Sequence, residues 1–404
     1  IEEPKDIEGF KFPPLLRSNF FEADFFKTDF KDNKQNDFIE KFNRVKLDFI
    51  IGNPPWGRVK DSPYMDYAKV RLKREPDELE RLQKLFPINH KGQKRTIKLV
   101  ENNEIAQGFL LRTFDFAVKD ETTCALLVTS KVLHNLQSDV FRNYFLNQTQ
   151  VDKVVDFSAI RKDLFSFKPK GAKKTIGPCA FLIYKWTDNS VSQNIVHHYS
   201  PKNNRIFQAF KILTIQKFDY KKIKQQQFID FDWTWKVFLY GNLLDFKFIK
   251  FLKENFETIN DIIKKEQFIQ GVGVRPFFKG ASENDTSHLM GQKLIDGKRD
   301  IERFFVDVKK DSFWVDQYAD TNKIKLYNKN FFSGNTLLIR KGINPNFQIV
   351  AALINEPAVF KEEITGIHSD LNSKVQVLKN ILGIISSIYF SYYIYNTGSS
   401  TGIE

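Results

Sequence analysis

The chain has 404 residues and carries 62 Lys and Arg against 49 Asp and Glu, a formal net charge of +13. That length is enough for two domains with sizeable cores, and the basic balance favours a polyanionic partner. Two cysteines, Cys124 and Cys179, exclude a disulfide framework and have no zinc-ligand spacing. A membrane span needs roughly 18 consecutive apolar residues. The nearest stretch, Leu378 to Tyr395, is interrupted by Lys379, Asn380, Ser386, Ser387 and Ser391 and reads as one largely buried helix. The 41 Phe reflect in part an AT-rich genome.

In chain order, Phe20 to Phe26 reads as a short strand with an acid, Asp24, near its end. Lys41 to Ile51 holds the central strand, whose apolar run Leu47-Asp48-Phe49-Ile50-Ile51-Gly52 reads as buried and parallel. Asn53-Pro54-Pro55-Trp56 follows directly. Two prolines lack N–H groups and have fixed φ, so the chain must turn sharply at the strand's carboxyl end. Ligands bind at that end in open α/β sheets. Residues 57–100 are polar with mixed charge, with a helix over part of Glu75 to Leu85, and suit a mobile loop beside a site. Apolar spacing predicts a helix from Ile105 to Lys119, a strand over Cys124 to Thr129, a helix over Val140 to Leu146 and a strand over Val151 to Phe157. Phe181 to Lys185 closes a parallel α/β set. The cysteines fall in two of these apolar runs and read as buried thiols in a reducing compartment. Near Trp186 the pattern becomes irregular and rich in Lys, Asn and Gln, which places a domain boundary at about residue 190. The pair Gly271 and Gly273 reads as a tight β-turn.

The turn at Asn53 has a specific chemical use. The exocyclic amine of a nucleobase is a poor nucleophile because its lone pair is delocalised into the ring. Two acceptors, the Asn53 side-chain oxygen and the Pro54 carbonyl held in direction by Pro55, would favour its pyramidal form. Trp56 offers a face for an extruded base, worth about 1–3 kcal/mol of stacking.

Leu47 to Trp56 resembles the catalytic motif of amino-group DNA methyltransferases of the N6-adenine type, in particular the large type IIG restriction–modification enzymes. Glutamine methyltransferases of release factors and some RNA methyltransferases carry a similar turn. Ala23-Asp24-Phe25-Phe26 resembles the family's short acidic motif. The resemblance implies that Asp24 accepts the adenine amino group of S-adenosylmethionine and that Phe25 lines the adenine pocket. Ile105 to Leu110 resembles the helix whose start lies by the cofactor's methionine end. Asp163-Leu164-Phe165-Ser166 resembles the block whose aromatic packs by the flipped adenine; Phe165 is the match, and Phe167 competes with it by a register shift. The basic loop Lys168, Lys170, Lys173 and Lys174 would then face DNA phosphates. No metal site is implied, and no metal-dependent nuclease signature stands out.

The resemblance implies a Rossmann-like methyltransferase sheet in 1–190, with its N-terminal part missing, followed by an α+β target-recognition domain in 191–404. It implies a cytoplasmic, site-specific DNA adenine-N6 methyltransferase of a restriction–modification or defence system, acting on double-stranded DNA. The family's Gly-rich cofactor loop and its ribose-binding acid are absent, so a further domain or subunit is expected to supply them. Two alternatives stand beside this reading. One is a DNA-binding specificity module with a vestigial or partner-completed catalytic half. The other is an RNA or protein-glutamine N-methyltransferase.

Overall fold

The computed structural model describes residues 25–26, 46–58, 63–89, 92–101, 104–164, 177–275, 287–307, 329–344 and 346–398. It divides into two compact units, Ile1–Tyr240 and Gly241–Glu404.

The first unit is built on a six-stranded mixed sheet: β1 (Phe49–Gly52), β2 (Thr123–Thr129), β3 (Thr149–Asp156), β4 (Cys179–Trp186), β5 (Ile195–Tyr199) and β6 (Tyr220–Lys224), in the order β1-β2-β4-β3-β5-β6. β1 runs parallel to β2 and β5 parallel to β3, while β4 is antiparallel to both β2 and β3. Four strands therefore point one way, with β4 and β6 opposed. The sequence reading took the segment around Phe181 as one more parallel strand. Its continuous apolar run is what a strand buried on both faces requires, and that requirement is blind to direction. Cys124 and Cys179 are buried free thiols inside this sheet, and burial pushes them up to about 11 and about 12. The sheet continues past residue 190: Ile195–Tyr199 extends it beside β3, so the change in composition near Trp186 precedes the end of the compact unit at Tyr240.

β1 is the other difference. Among the described residues it is an edge strand, and Phe49 and Ile51 are 67 % and 75 % exposed, whereas the apolar run reads as a buried central strand. Among the described residues nothing pairs with its outer edge.

Helices cover the sheet: α1 (Pro63–Lys73), α2 (Pro76–Leu85), α3 (Ile105–Arg112), α4 (Lys131–His134), α5 (Asp139–Asn147), α6 (Arg161–Leu164), α7 (Arg205–Phe210), α8 (Gln225–Asp230) and α9 (Thr234–Tyr240). Pro76 opens α2, where a missing N–H costs nothing. The helix expected from Ile105 is shorter than its periodicity suggested and tightens into a 3₁₀ turn at Thr113–Asp115. Phe114 stacks there on Phe145 and Trp186. The last carbonyls of α9 are met by lysines: Lys221 Nζ donates to Phe238 O at 3.0 Å, and Lys202 to Leu239 O. Burial, with Lys221 nearby, depresses Lys202 to about 7.

The second unit holds α10 (Leu243–Asn255), α11 (Ile259–Lys265), strands β7 (Ile269–Val272), β8 (Lys293–Ile295), β9 (Ile301–Glu302), β10 (Phe305–Val306), β11 (Thr336–Arg340), β12 (Ala351–Ile354), β13 (Ala358–Phe360) and β14 (Ile364–His368), then α12 (Val375–Ile385) and α13 (Ile388–Thr397). The antiparallel sheet β12-β11-β14-β7 alternates with period two. Leu337, Ala351 and Ile367 face a core with Leu378, Ile381, Leu382 and Ile385 of α12. Leu338, Ala352 and Ile364 face a second core with Phe331, Phe332 and Phe360.

Two sequence readings change here. Leu378 to Tyr395 is a pair of helices bent by 67°, because Ser387 leaves the helix and caps the next one by accepting from Phe390 N at 3.1 Å. No single helix among the described residues is long and apolar enough to cross a membrane. Gly271 lies in strand β7 opposite Gly366, in place of a turn, and Gly273 marks a close backbone approach. A Cβ at Gly273 would stand 2.1 Å from Phe360 O.

Two glycines should therefore respond oppositely. Gly273→Ala is expected to destabilise the second unit by about 3 kcal/mol through overpacking. Gly383→Ala, exposed in α12 with nothing within 4 Å of the new methyl, is expected to stabilise it by about 0.5–1 kcal/mol. Urea unfolding followed by circular dichroism checks both signs.

Candidate functional site

The turn after β1 is held by what the prolines remove. β1 ends at Gly52, opposite Leu126, and a Cβ at Gly52 would already touch Leu126 Cδ2 at 3.0 Å. β2 runs on past this point. The next β2 carbonyl, Leu127 O, accepts the Trp56 indole N–H at 3.3 Å. A side-chain donor thus stands where a continuing strand would have offered a backbone one. Trp56 is half-buried and Pro54 buried, while Asn53 and Pro55 are exposed. The Asn53 side chain takes no hydrogen-bond partner among the described residues.

The exit is pinned as well. Gly57 adopts φ +145°, a backbone that favours glycine, and its carbonyl accepts Ile105 N at 3.1 Å. Arg58 forms an isolated antiparallel bridge with Glu104, and its Nε donates to Glu104 Oε1 at 3.0 Å. Lys131 Nζ lies 3.8 Å from the same oxygen. Glu104 is fully buried, and its Oε2 has no hydrogen-bond partner among the described residues.

Because β1, β2, β3 and β5 point the same way, their carboxyl ends share one edge. Asn53, Ser130, Asp156 and Ser200 are all there. Next to the ends of β2 and β3 lies a polar network. Asp156 Oδ2 meets His134 Nε2 at 2.6 Å, and Asp156 Oδ1 accepts from Ser158 N at 2.9 Å and from Ser158 Oγ at 2.5 Å. Ser158 Oγ and Ser130 Oγ are 2.6 Å apart. Burial alone would raise the Asp156 carboxyl. His134 and the Ser158 hydrogen bonds outweigh burial and hold it at about 2. The buried His198 ring is pushed down to about 3, chiefly by desolvation, and is neutral.

Phe25 is half-buried in an aromatic cluster. Its ring stacks on Phe109 and Phe116, each at 5.2 Å, and its carbonyl accepts Arg112 Nε at 2.8 Å. Arg112 also lines an open cleft with Tyr67, Arg71, Arg74, Glu75 and Asp115. Arg71 in that cleft is already engaged by Tyr144 Oη at 2.8 Å and by Asp115 at 3.3 Å. No group of three His, Cys, Asp or Glu among the described residues could hold a metal ion.

The structure thus assembles Asn53, Pro54, Pro55 and Trp56 at the carboxyl edge and seats Phe25 against α3. Asp24, Phe165, Lys168, Lys170, Lys173 and Lys174 lie outside the described residues. Sequence reading missed Glu104, Arg58 and Lys131. The only signal was Glu104 standing directly before the periodic run from Ile105. The His134–Asp156 pair left no signal, since 22 residues separate its members.

Residues 5–165 match the model of the Eco57I restriction-modification methylase family, which bears out the resemblance to restriction–modification methyltransferases. No curated protein matches the chain. Among solved structures, the type IIL restriction-modification enzyme MmeI in complex with DNA is 11 % identical at a TM-score of 0.45, covering 89 % of this chain and 45 % of its own. The type IIG restriction endonuclease BpuSI is 10 % identical at 0.33, covering 88 % and 46 %. A type I methyltransferase subunit from Streptococcus thermophilus is 14 % identical at 0.30, covering 52 % and 39 %. The chain spans less than half the length of each.

The Asp156 network makes a signed prediction. A carboxyl held below its unfolded value near 3.9 contributes stability that is complete above about pH 5 and is lost as pH falls toward 2. Asp156→Asn should flatten that acid limb and cost about 3–5 kcal/mol, since it strands a buried partner. Unfolding of both proteins between pH 2 and 7 measures this; an acid limb unchanged by the substitution contradicts it.

Proposed function

We propose that the chain is the catalytic and recognition portion of a site-specific DNA adenine-N6 methyltransferase of a restriction–modification system. The observation that carries this reading is the Asn53-Pro54-Pro55-Trp56 turn at the carboxyl edge of the sheet, with the Asn53 amide exposed and Trp56 tied to Leu127 O. The family match over residues 5–165 supports it, as does the net charge of +13.

In this reading the Asn53 side-chain oxygen and the Pro54 carbonyl accept the two N–H bonds of an extruded adenine's amine. Accepting them turns the nitrogen lone pair out of the ring plane and makes it nucleophilic. The Trp56 face, with Phe165 as its opposite number, holds the base, and Lys168, Lys170, Lys173 and Lys174 take phosphates. S-adenosylmethionine, when bound, supplies the electrophilic methyl group. The residues present fit it in part. Phe25, half-buried in its aromatic cluster, offers an apolar rim for an adenine, and Asp24, the preceding residue in the sequence, would take the amino group. The Gly-rich loop is not in the sequence. The outer edge of β1, unpaired among the described residues and with Phe49 and Ile51 exposed, suits a further domain or subunit that adds a strand and brings that loop. The same missing loop favours, as a second reading, a DNA-binding specificity module whose catalytic half a partner completes.

Two measurements separate these. The full-length parent gene, expressed in a methylation-free host, should leave N6-methyladenine in one sequence motif, and Asn53→Ala should lower that modification at least ~100-fold, the scale for loss of a preorganised polar group. Unmodified DNA with specific binding would instead favour the second reading. Calorimetry on the 404-residue chain alone should detect only weak S-adenosylmethionine binding; tight binding contradicts a divided cofactor pocket.

A further inference from the structure

Arg58 and Lys131 reach the same place from different strands. Arg58 lies just past Trp56 at the exit of the β1 turn, and Lys131 opens α4 immediately after the end of β2. Both approach one atom, Glu104 Oε1, at 3.0 Å and 3.8 Å. The exposures are unequal: the Glu104 side chain is 1 % exposed, those of Arg58 and Lys131 50 % and 44 %. One buried carboxylate neutralises one of the two cations, so a net positive charge is left facing solvent beside the catalytic turn.

The donors are arranged to match. Arg58 spends its Nε on Glu104, which leaves the Nη edge of the guanidinium without a partner among the described residues. At 3.8 Å the Lys131 ammonium is attracted to Glu104 but is beyond hydrogen-bond length, so its N–H donors stay available. A guanidinium edge and an ammonium, held by a common counter-ion, form a geometry that suits an oxyanion with several acceptor oxygens.

We propose that Arg58 and Lys131 form a binding site for a DNA phosphodiester next to the extruded nucleotide, with Glu104 as their shared counter-ion. The inference rests on the proposed action on DNA. It adds a phosphate contact that no sequence motif marks, from residues other than the basic run Lys168 to Lys174. Neutralising the backbone at this point would hold the strand on either side of the base that Trp56 receives.

The test is binding of a fluorescently labelled duplex to the 404-residue chain, by anisotropy, over a series of KCl concentrations. Each phosphate contact contributes about 0.9 to the slope of log K against log salt. Arg58→Gln and Lys131→Gln should each lower the slope by about that amount, and the double variant by about twice as much. Arg58→Lys and Lys131→Arg, which keep the charge, should restore it. Lys119→Gln is the control. Lys119 precedes β2 at the opposite edge of the sheet and is paired with Asp188, so its loss should leave the slope unchanged. A wild-type chain that binds duplex while the Gln variants keep its slope overturns this inference alone. A wild-type chain that binds no duplex at low salt overturns the proposed action on DNA and this inference with it.

Discussion

The site depends on one substitution of donors: the Trp56 indole N–H takes the Leu127 carbonyl that β1 can no longer pair. Pro54 and Pro55 end the strand, and a strand that stops beside a longer neighbour leaves that neighbour's backbone short of partners. An unsatisfied buried carbonyl costs roughly 1–3 kcal/mol. Satisfying it with a side chain from the turn itself makes the break in the sheet and the fixed placement of the aromatic one event. Asn53 and Pro54 lie between the last ladder residue, Gly52, and this tether, so their freedom is bounded at both ends.

The exit of the turn is fixed by charge. Glu104 is buried with one oxygen unpaired among the described residues, an arrangement that burial disfavours. It is tolerated because Arg58 and Lys131 lie against its other oxygen and the next residue, Ile105, bonds back through its N–H to Gly57 O. The Asn53–Trp56 turn therefore hangs between β2 on one side and the start of α3 on the other. A further layer of polar order, His134–Asp156–Ser158–Ser130, ties the neighbouring strand ends together.

Much of this was legible in the sequence, and the limits are physical. The strands and helices from Ile105 to Trp186 follow from apolar spacing, because those residues meet a core on a fixed period. Strand direction did not follow: Cys179–Trp186 is apolar on both faces whether it runs up or down. The burial of β1 was misjudged, because an apolar run shows what a strand needs to have covered, not what covers it within this chain. Gly271 and Gly273 look like a turn in one dimension, yet what they permit is close approach between β7, β14 and Phe360. The turn itself was readable because its residues are contiguous, from Asn53 to Trp56. Glu104, Arg58 and Lys131 were not, because their meaning lies in a shared oxygen that only the fold brings about.

The most direct test of the account is the identity of the atom that receives the methyl group. The full-length protein would be incubated with unmethylated DNA and S-adenosylmethionine carrying a labelled methyl, and the DNA digested to nucleosides. The account predicts label in N6-methyladenine, and its loss when Trp56→Ala removes both the tether and the stacking face. Label in cytosine, in RNA or in protein, or adenine methylation indifferent to Trp56, would contradict it.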